Sequence, residues 1–132
     1  MQSTAQKYGY SRLVRCSFDE ALERTKKNLQ QQGFGVQAEI DLSTALQEKL
    51  AVAVPRQVIL GACNPQLAYQ ALQAEPEIGL LLPCNVTVRQ NGSDVEVSVI
   101  DPEPLMEFAG NPKLKPLATE AKRRLQTVLE TI

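Results

Sequence analysis

The spacing of apolar positions changes several times along the chain, and each change marks an element. Residues 7–15 alternate imperfectly. Tyr8, Tyr10 and Val14 share a side with Arg12 while Leu13 falls opposite, which predicts a strand near a sheet edge. The period then lengthens: Phe18, Ala21, Leu22, Thr25 and Leu29 recur at helical spacing, with Lys26, Lys27 and Gln30 facing water. Ser17, followed three residues later by Glu20, forms a capping box ahead of this helix. Gly33 supplies the left-handed stop at its end. Residues 34–40 return to alternation and predict a strand with Phe34, Val36, Ala38 and Ile40 on one face. Asp41 then caps a shorter helix carrying Leu42, Ala45, Leu46 and Leu50, which Pro55 closes off.

Gln57 to Cys63 is a nearly continuous apolar run, the pattern of a strand covered on both faces. Asn64-Pro65 starts a third helix: an amide side chain to cap it, then a residue whose missing N–H costs nothing there. Leu67, Ala68, Ala71 and Leu72 form its buried stripe, and Pro76 and Gly79 end it. Residues 84–100 hold two alternating runs about Asn91-Gly92, the pattern of a type I′ hairpin. That turn pairs Val88 with Val95, Val86 with Val97 and Cys84 with Val99. One face is then Cys84, Val86, Val88, Val95, Val97 and Val99, and the other is Asn85, Thr87, Arg89, Asp94, Glu96 and Ser98. The valine face is core, so Cys84 is expected inside. Asp101-Pro102 opens a short helix through Phe108. After Asn111-Pro112, a long amphipathic helix begins near Lys115 and runs to the end.

The order is therefore β-α-β-α-β-α-β-β-α-α. The predicted class is α+β, a single mainly antiparallel sheet with helices packed chiefly on one face. Residues 1–132 are read as a single domain, with 1–6 a disordered tail.

Composition narrows the chemistry. The apolar fraction of 43% and charged fraction of 22% are those of a globular chain. A net charge of −1 provides no footprint for nucleic acid or an anionic membrane, and no stretch is long and apolar enough to predict a membrane span. Lys122, Arg123 and Arg124 lie on the last helix with acids nearby and read as a solvated face. The N-terminus has no apolar run marking secretion, and three cysteines without close spacing predict a reducing, cytoplasmic setting. The chain has no histidine, which removes Ser-His-Asp triads, Cys-His pairs and most zinc or copper sites. The glycines form no phosphate-binding pattern. No cofactor is indicated.

What chemistry remains centres on residues 59–88, where a Cys-Asn pair occurs twice, at Cys63-Asn64 and Cys84-Asn85. Both thiols read first as small buried hydrophobes. Cys63 has a second reading, since it directly precedes a helix N-terminus, where the dipole and free N–H groups stabilise a thiolate. A third reading joins Cys63 and Cys84 as a thiol pair or soft-metal site, short of the four ligands of closed structural zinc. Cys16 flanks a helix without distinction. Glu75, Glu77, Asp101 and Glu103 fall near loops and read as surface, Asp101 with a capping role.

The stretches Ile59 to Ala68 and Ile78 to Val88, followed by a hairpin and Asp101-Pro102, resemble the family known as domain of unknown function 302. The resemblance runs from the Ser17-Phe18 helix start to about Met106. It implies a compact α+β domain with an antiparallel-rich sheet, found mainly in bacteria and archaea, and carries no established activity, substrate or catalytic residues.

Two functional expectations follow. The first is a non-enzymatic domain binding a small ligand or a partner and self-associating as a homodimer, using the polar face Asn85, Thr87, Glu96 and Ser98. The alternative is a thiol-based protein in which Cys63, with Cys84, binds a soft metal or a sulfur or redox species, Asn64 and Asn85 flanking the thiols.

Overall fold

The computed structural model describes residues 3–132. Its strands are β1 (Thr4–Ala5), β2 (Gly9–Val14), β3 (Gly35–Asp41), β4 (Gln57–Cys63), β5 (Cys84–Asn91) and β6 (Asp94–Ile100). Its helices are α1 (Phe18–Gln31), α2 (Leu42–Leu50), α3 (Pro65–Ala74), α4 (Pro102–Ala109) and α5 (Lys115–Glu130), with 3₁₀ turns over Pro76–Leu81 and Pro112–Leu114. The strands form one antiparallel sheet in the order β1-β2-β6-β5-β4-β3, with helices chiefly on one face. The α+β class and the element order follow the sequence pattern. The one added strand is β1, where Thr4 and Ala5 pair with Ser11 and Tyr10. That part of the expected tail is laid along the sheet edge, while residues 1 and 2 lie outside the described residues.

Local chemistry explains the boundaries. The Ser17 hydroxyl accepts from the Glu20 N–H at 3.1 Å, but the Glu20 carboxylate turns to Arg24, so only half of the capping box forms. Gly33 adopts φ 84°, a conformation in which a side chain would be strained. Asp41, Asn64, Asp101 and Asn111 each cap the turn that follows, which is why four of the helical segments start where they do.

α1 and α5 press one apolar cluster onto the sheet. Leu22 and Leu29 of α1 and Leu125 and Val128 of α5 meet Val58, Leu60, Val86, Val88, Val95 and Val97. A second cluster joins Ala71 of α3, Ile78, Met106 of α4, Leu114 and Ala118 of α5. α5 belongs to both clusters and ties the helical layer together. Arg12 secures its far end: Nη1 donates to the carbonyls of Leu129 at 2.8 Å and Glu130 at 3.2 Å, two of the acceptors a helix leaves open at its C-terminus.

Two registers depart from the sequence reading. In the hairpin, Asn91 pairs with Asp94, Val88 with Val97 and Val86 with Val99. The turn is therefore Gly92-Ser93 rather than Asn91-Gly92. Gly92 has φ 62° and Ser93 does not have positive φ, the signature of a type II′ turn, which needs glycine only at its first central position. The partner strand moves by two residues, an even step, so the valine face stays core. In β3 a bulge at Gln37 separates the Val36–Ala62 pair from Ala38–Gly61. The extra residue inverts alternation. Val36 remains with the core, but Ala38 and Ile40 turn to the opposite face, and Ile40 is 50% exposed. Glu39 takes the helix side instead and pairs with Lys26 of α1 at 2.6 Å, so Lys26 is not the free surface lysine its spacing suggests.

Candidate functional site

The four candidate residues fall in two places. Ala62 and Cys84 are the last paired residues between β4 and β5, and Cys63 follows Ala62 where the chain leaves the sheet for α3. Cys63, Asn64 and Cys84 line one small cavity of about 50 Å³ at this sheet end, with Phe34, Leu67 and Met106 among its other walls. It has room for only a few water-sized groups. Asn64 is 8% exposed, and its Oδ1 accepts from the Leu67 N–H at 3.1 Å. The amide is therefore occupied in capping α3 from inside the molecule.

Asn85 is elsewhere. It pairs with Gly61 and faces away from the helices, exposed. There it shares a cleft of about 450 Å³ with Tyr8, Thr87, Glu96, Ser98 and Gln6. The two Cys-Asn pairs are thus unlike. In the first the amide is buried and caps a helix, and in the second it is presented outward.

The thiols are neighbours in space. Burial pushes the Cys84 thiol up to about 11, and the charge of Cys63 nearby adds to the rise. A group at that value is protonated at neutral pH, so Cys84 is a poor nucleophile as it stands. Burial likewise raises the Cys16 thiol. All three cysteines are free. Among the described residues, no three or more Cys, Asp or Glu side chains gather where they could hold a metal ion. A closed structural zinc site has no ligand set here.

The carboxylates and the basic cluster serve structure. Lys122 lies between Glu103 at 2.8 Å and Asp101 at 3.4 Å, and its ammonium sits 5.4 Å from the Tyr10 ring centre. The Glu103 carboxylate, followed by Tyr10, holds the Lys122 pKa well above the usual range. Arg123 and Arg124 both reach Glu120 at 2.7 Å, and Arg124 also donates to the Gln32 carbonyl at 3.1 Å. These cations bind α5 to α4 and to the end of α1, a more specific role than the solvated face read from the sequence. Glu75 accepts from Asn111 at 3.0 Å, and Glu77 stands exposed on the 3₁₀ turn.

Two features of these places escaped the sequence reading. Phe34 and Met106 come to the cavity from elements distant in the chain, and no local spacing announces that. Tyr8 was read as a face-mate of Tyr10, yet it is 75% exposed and walls the outer cleft. The warning in the sequence was Gly9, beside which the strand has only just begun.

No helix of the described residues is long and apolar enough to cross a membrane. Comparison with curated proteins found no match. The crystal structure of an uncharacterized conserved DUF302 protein from Bacillus stearothermophilus superposes with a TM-score of 0.88 at 31% identity, covering 95% of this chain and 98% of that one. The family model described as domain of unknown function DUF302 matches residues 10–132, nearly the whole of the sheet and every helix. The chain therefore belongs to the DUF302 family.

Proposed function

We propose that this chain is a non-enzymatic binding domain whose working surface is the open face of its sheet. One observation carries the reading: the helices cover one face, and the other presents Asn85, Thr87, Glu96 and Ser98 around a cleft of about 450 Å³, within the size range of small-molecule pockets. No nucleophile with an adjacent base accompanies it, because the chain has no histidine and Cys84 is held protonated. Binding without chemical change is what such a face does. Thermal melting across panels of metabolites and metal salts, alongside sedimentation velocity, tests this. A melting temperature that moves with one ligand class, or reversible association, supports it. A strict monomer indifferent to every compound defeats it.

A second reading rests on the adjacency of Cys63 and Cys84 at the mouth of one cavity. In this reading the pair binds a soft cation or a sulfur species, with Cys63 at the start of α3 as the more reactive partner. Alkylation as a function of pH, with the modified sites assigned by mass spectrometry, separates the two. If both thiols stay unmodified until denaturation and cuprous ion does not bind, the thiol reading fails.

A further inference from the structure

The geometry points to a second copy of this chain as the occupant of the open sheet face, the two sheets packed face to face about a two-fold axis. This deepens the preceding proposal that the face is a binding surface.

The composition of that face departs from a solvated one. Across the sheet, Ser11, Ser98, Thr87, Ile59 and Ile40 stand in one row of direct cross-strand partners. The row carries no charge, although the chain has 14 basic and 15 acidic residues to distribute. In the adjoining row, Leu13, Glu96, Arg89 and Gln57 are partners, and its two charges form an ion pair with each other. The outward side of a solvated antiparallel sheet alternates polar and charged positions against the core. Interface centres, by contrast, are depleted in Lys, Glu and Asp.

The same neutrality selects the occupant. An acidic or basic partner would find no opposite charge at the centre of this face. An isologous contact sets a patch against its own copy, so any net charge there would repel itself. A neutral patch satisfies that condition.

The area is also of the right order. Five strand spacings of about 4.8 Å and strands of roughly 20–24 Å give a platform near 500 Å² in projection. A standard interface needs about 800 Å² from each partner. Beyond β3, Leu50, Val52 and Val54 are 65%, 42% and 41% exposed, and this apolar flank supplies the remainder.

Sedimentation velocity of the full chain over a micromolar concentration series, for wild type, Thr87→Lys and Ile40→Glu, is the test. Both substitutions alter outward positions, and each enters a two-fold interface twice, so the dissociation constant should rise by about a hundredfold or more. The double variant Leu80→Lys/Phe108→Lys changes the most exposed apolar residues, at 88% and 84%, away from the sheet, and should associate like wild type. A monomeric wild type overturns the proposal, while the metabolite panel still judges the binding-surface reading separately. A dimer dissolved by the Leu80/Phe108 variant but not by Thr87→Lys or Ile40→Glu overturns it as well. If Thr87→Lys fails to fold, the half-exposed Ile40 position decides the matter alone.

Discussion

Replacing Asn64 and Asn85 separately by alanine should have very different consequences, although both follow a cysteine. Asn64 is 8% exposed and caps α3 through the Leu67 N–H. Losing such a cap costs about 1 kcal/mol, within a range of about 0.5–2. The truncation also removes three heavy atoms from the wall of the sheet-end cavity. At about 24 cal/mol per Å³ of new void, that adds roughly 0.5–1 kcal/mol. Asn64→Ala should therefore lower unfolding free energy by about 2 kcal/mol. With an unfolding entropy of about 2.1 cal/mol/K per residue, a chain of 132 residues loses about 7 °C of melting temperature. Asn85 is exposed on the open face, and Asn85→Ala should stay within about 0.5 kcal/mol. Asn64→Ser retains a capping oxygen and should recover most of the first term. Urea unfolding followed by circular dichroism, in dilute protein and with unchanged m-values, measures all three. If Asn85→Ala costs as much as Asn64→Ala, or Asn64→Ser does no better than alanine, the distinction drawn between the two motifs is wrong.

Three other outcomes follow from single positions. Gly33→Ala should destabilise by about 1–2 kcal/mol, because its φ of 84° is left-handed and the new Cβ would stand 3.0 Å from both Arg124 Nη1 and Asn64 Nδ2; equal urea midpoints for variant and wild type would refute this. With its thiol pushed up to about 11, Cys84 should be alkylated slowly at neutral pH and about tenfold faster per pH unit through pH 10; modification at pH 7 as fast as a free cysteine would contradict the burial. The Glu120 carboxyl is held down to about 2 by Arg123 and then Arg124. A lowered carboxyl stabilises the fold above its ordinary value of 4.5, and the contribution is lost as pH falls through about 2. Glu120→Gln should flatten the acid limb of a plot of urea midpoint against pH, and an unchanged acid limb would remove Glu120 from the account.

The fold was legible wherever a local rule had no tertiary competitor. Ser17, Asn64-Pro65 and Asp101-Pro102 set helix starts through bonds within three residues of themselves, and a single sequence contains that information. β3 and the hairpin were legible in kind but not in register. Residues 34–40 carry the alternation of an unbroken strand, yet pairing with β4 inserts a bulge at Gln37. The bulge brings Glu39 within reach of Lys26, and an ion pair between a helix and a strand leaves no mark on periodicity. The turn at residues 91–94 was misassigned because Asn-Gly and Gly-Ser are both good two-residue turns and share the glycine. The error was harmless to the core only because it displaced the partner by an even number.

The candidate site was less legible, for a reason that alternation itself supplies. Along β4, Ala62 faces the core, so strict alternation sends Cys63 the other way, apart from Cys84. Instead, both line the same cavity, because the ladder stops at the Ala62–Cys84 pair and the chain turns at once into α3. Period-two reasoning holds inside a ladder and lapses at its last rung, which is where loops and helix ends gather side chains from elements distant in sequence. The open face is the opposite case. Thr87, Glu96 and Ser98 sit in the middle of long strands, and their outward orientation survived a register error. What one strand could not reveal was the character of the whole face, since its uncharged row takes one residue from each of β2, β6, β5, β4 and β3. A surface that becomes visible only when five strands are aligned is one that the folded sheet, and not any segment of it, presents to a partner.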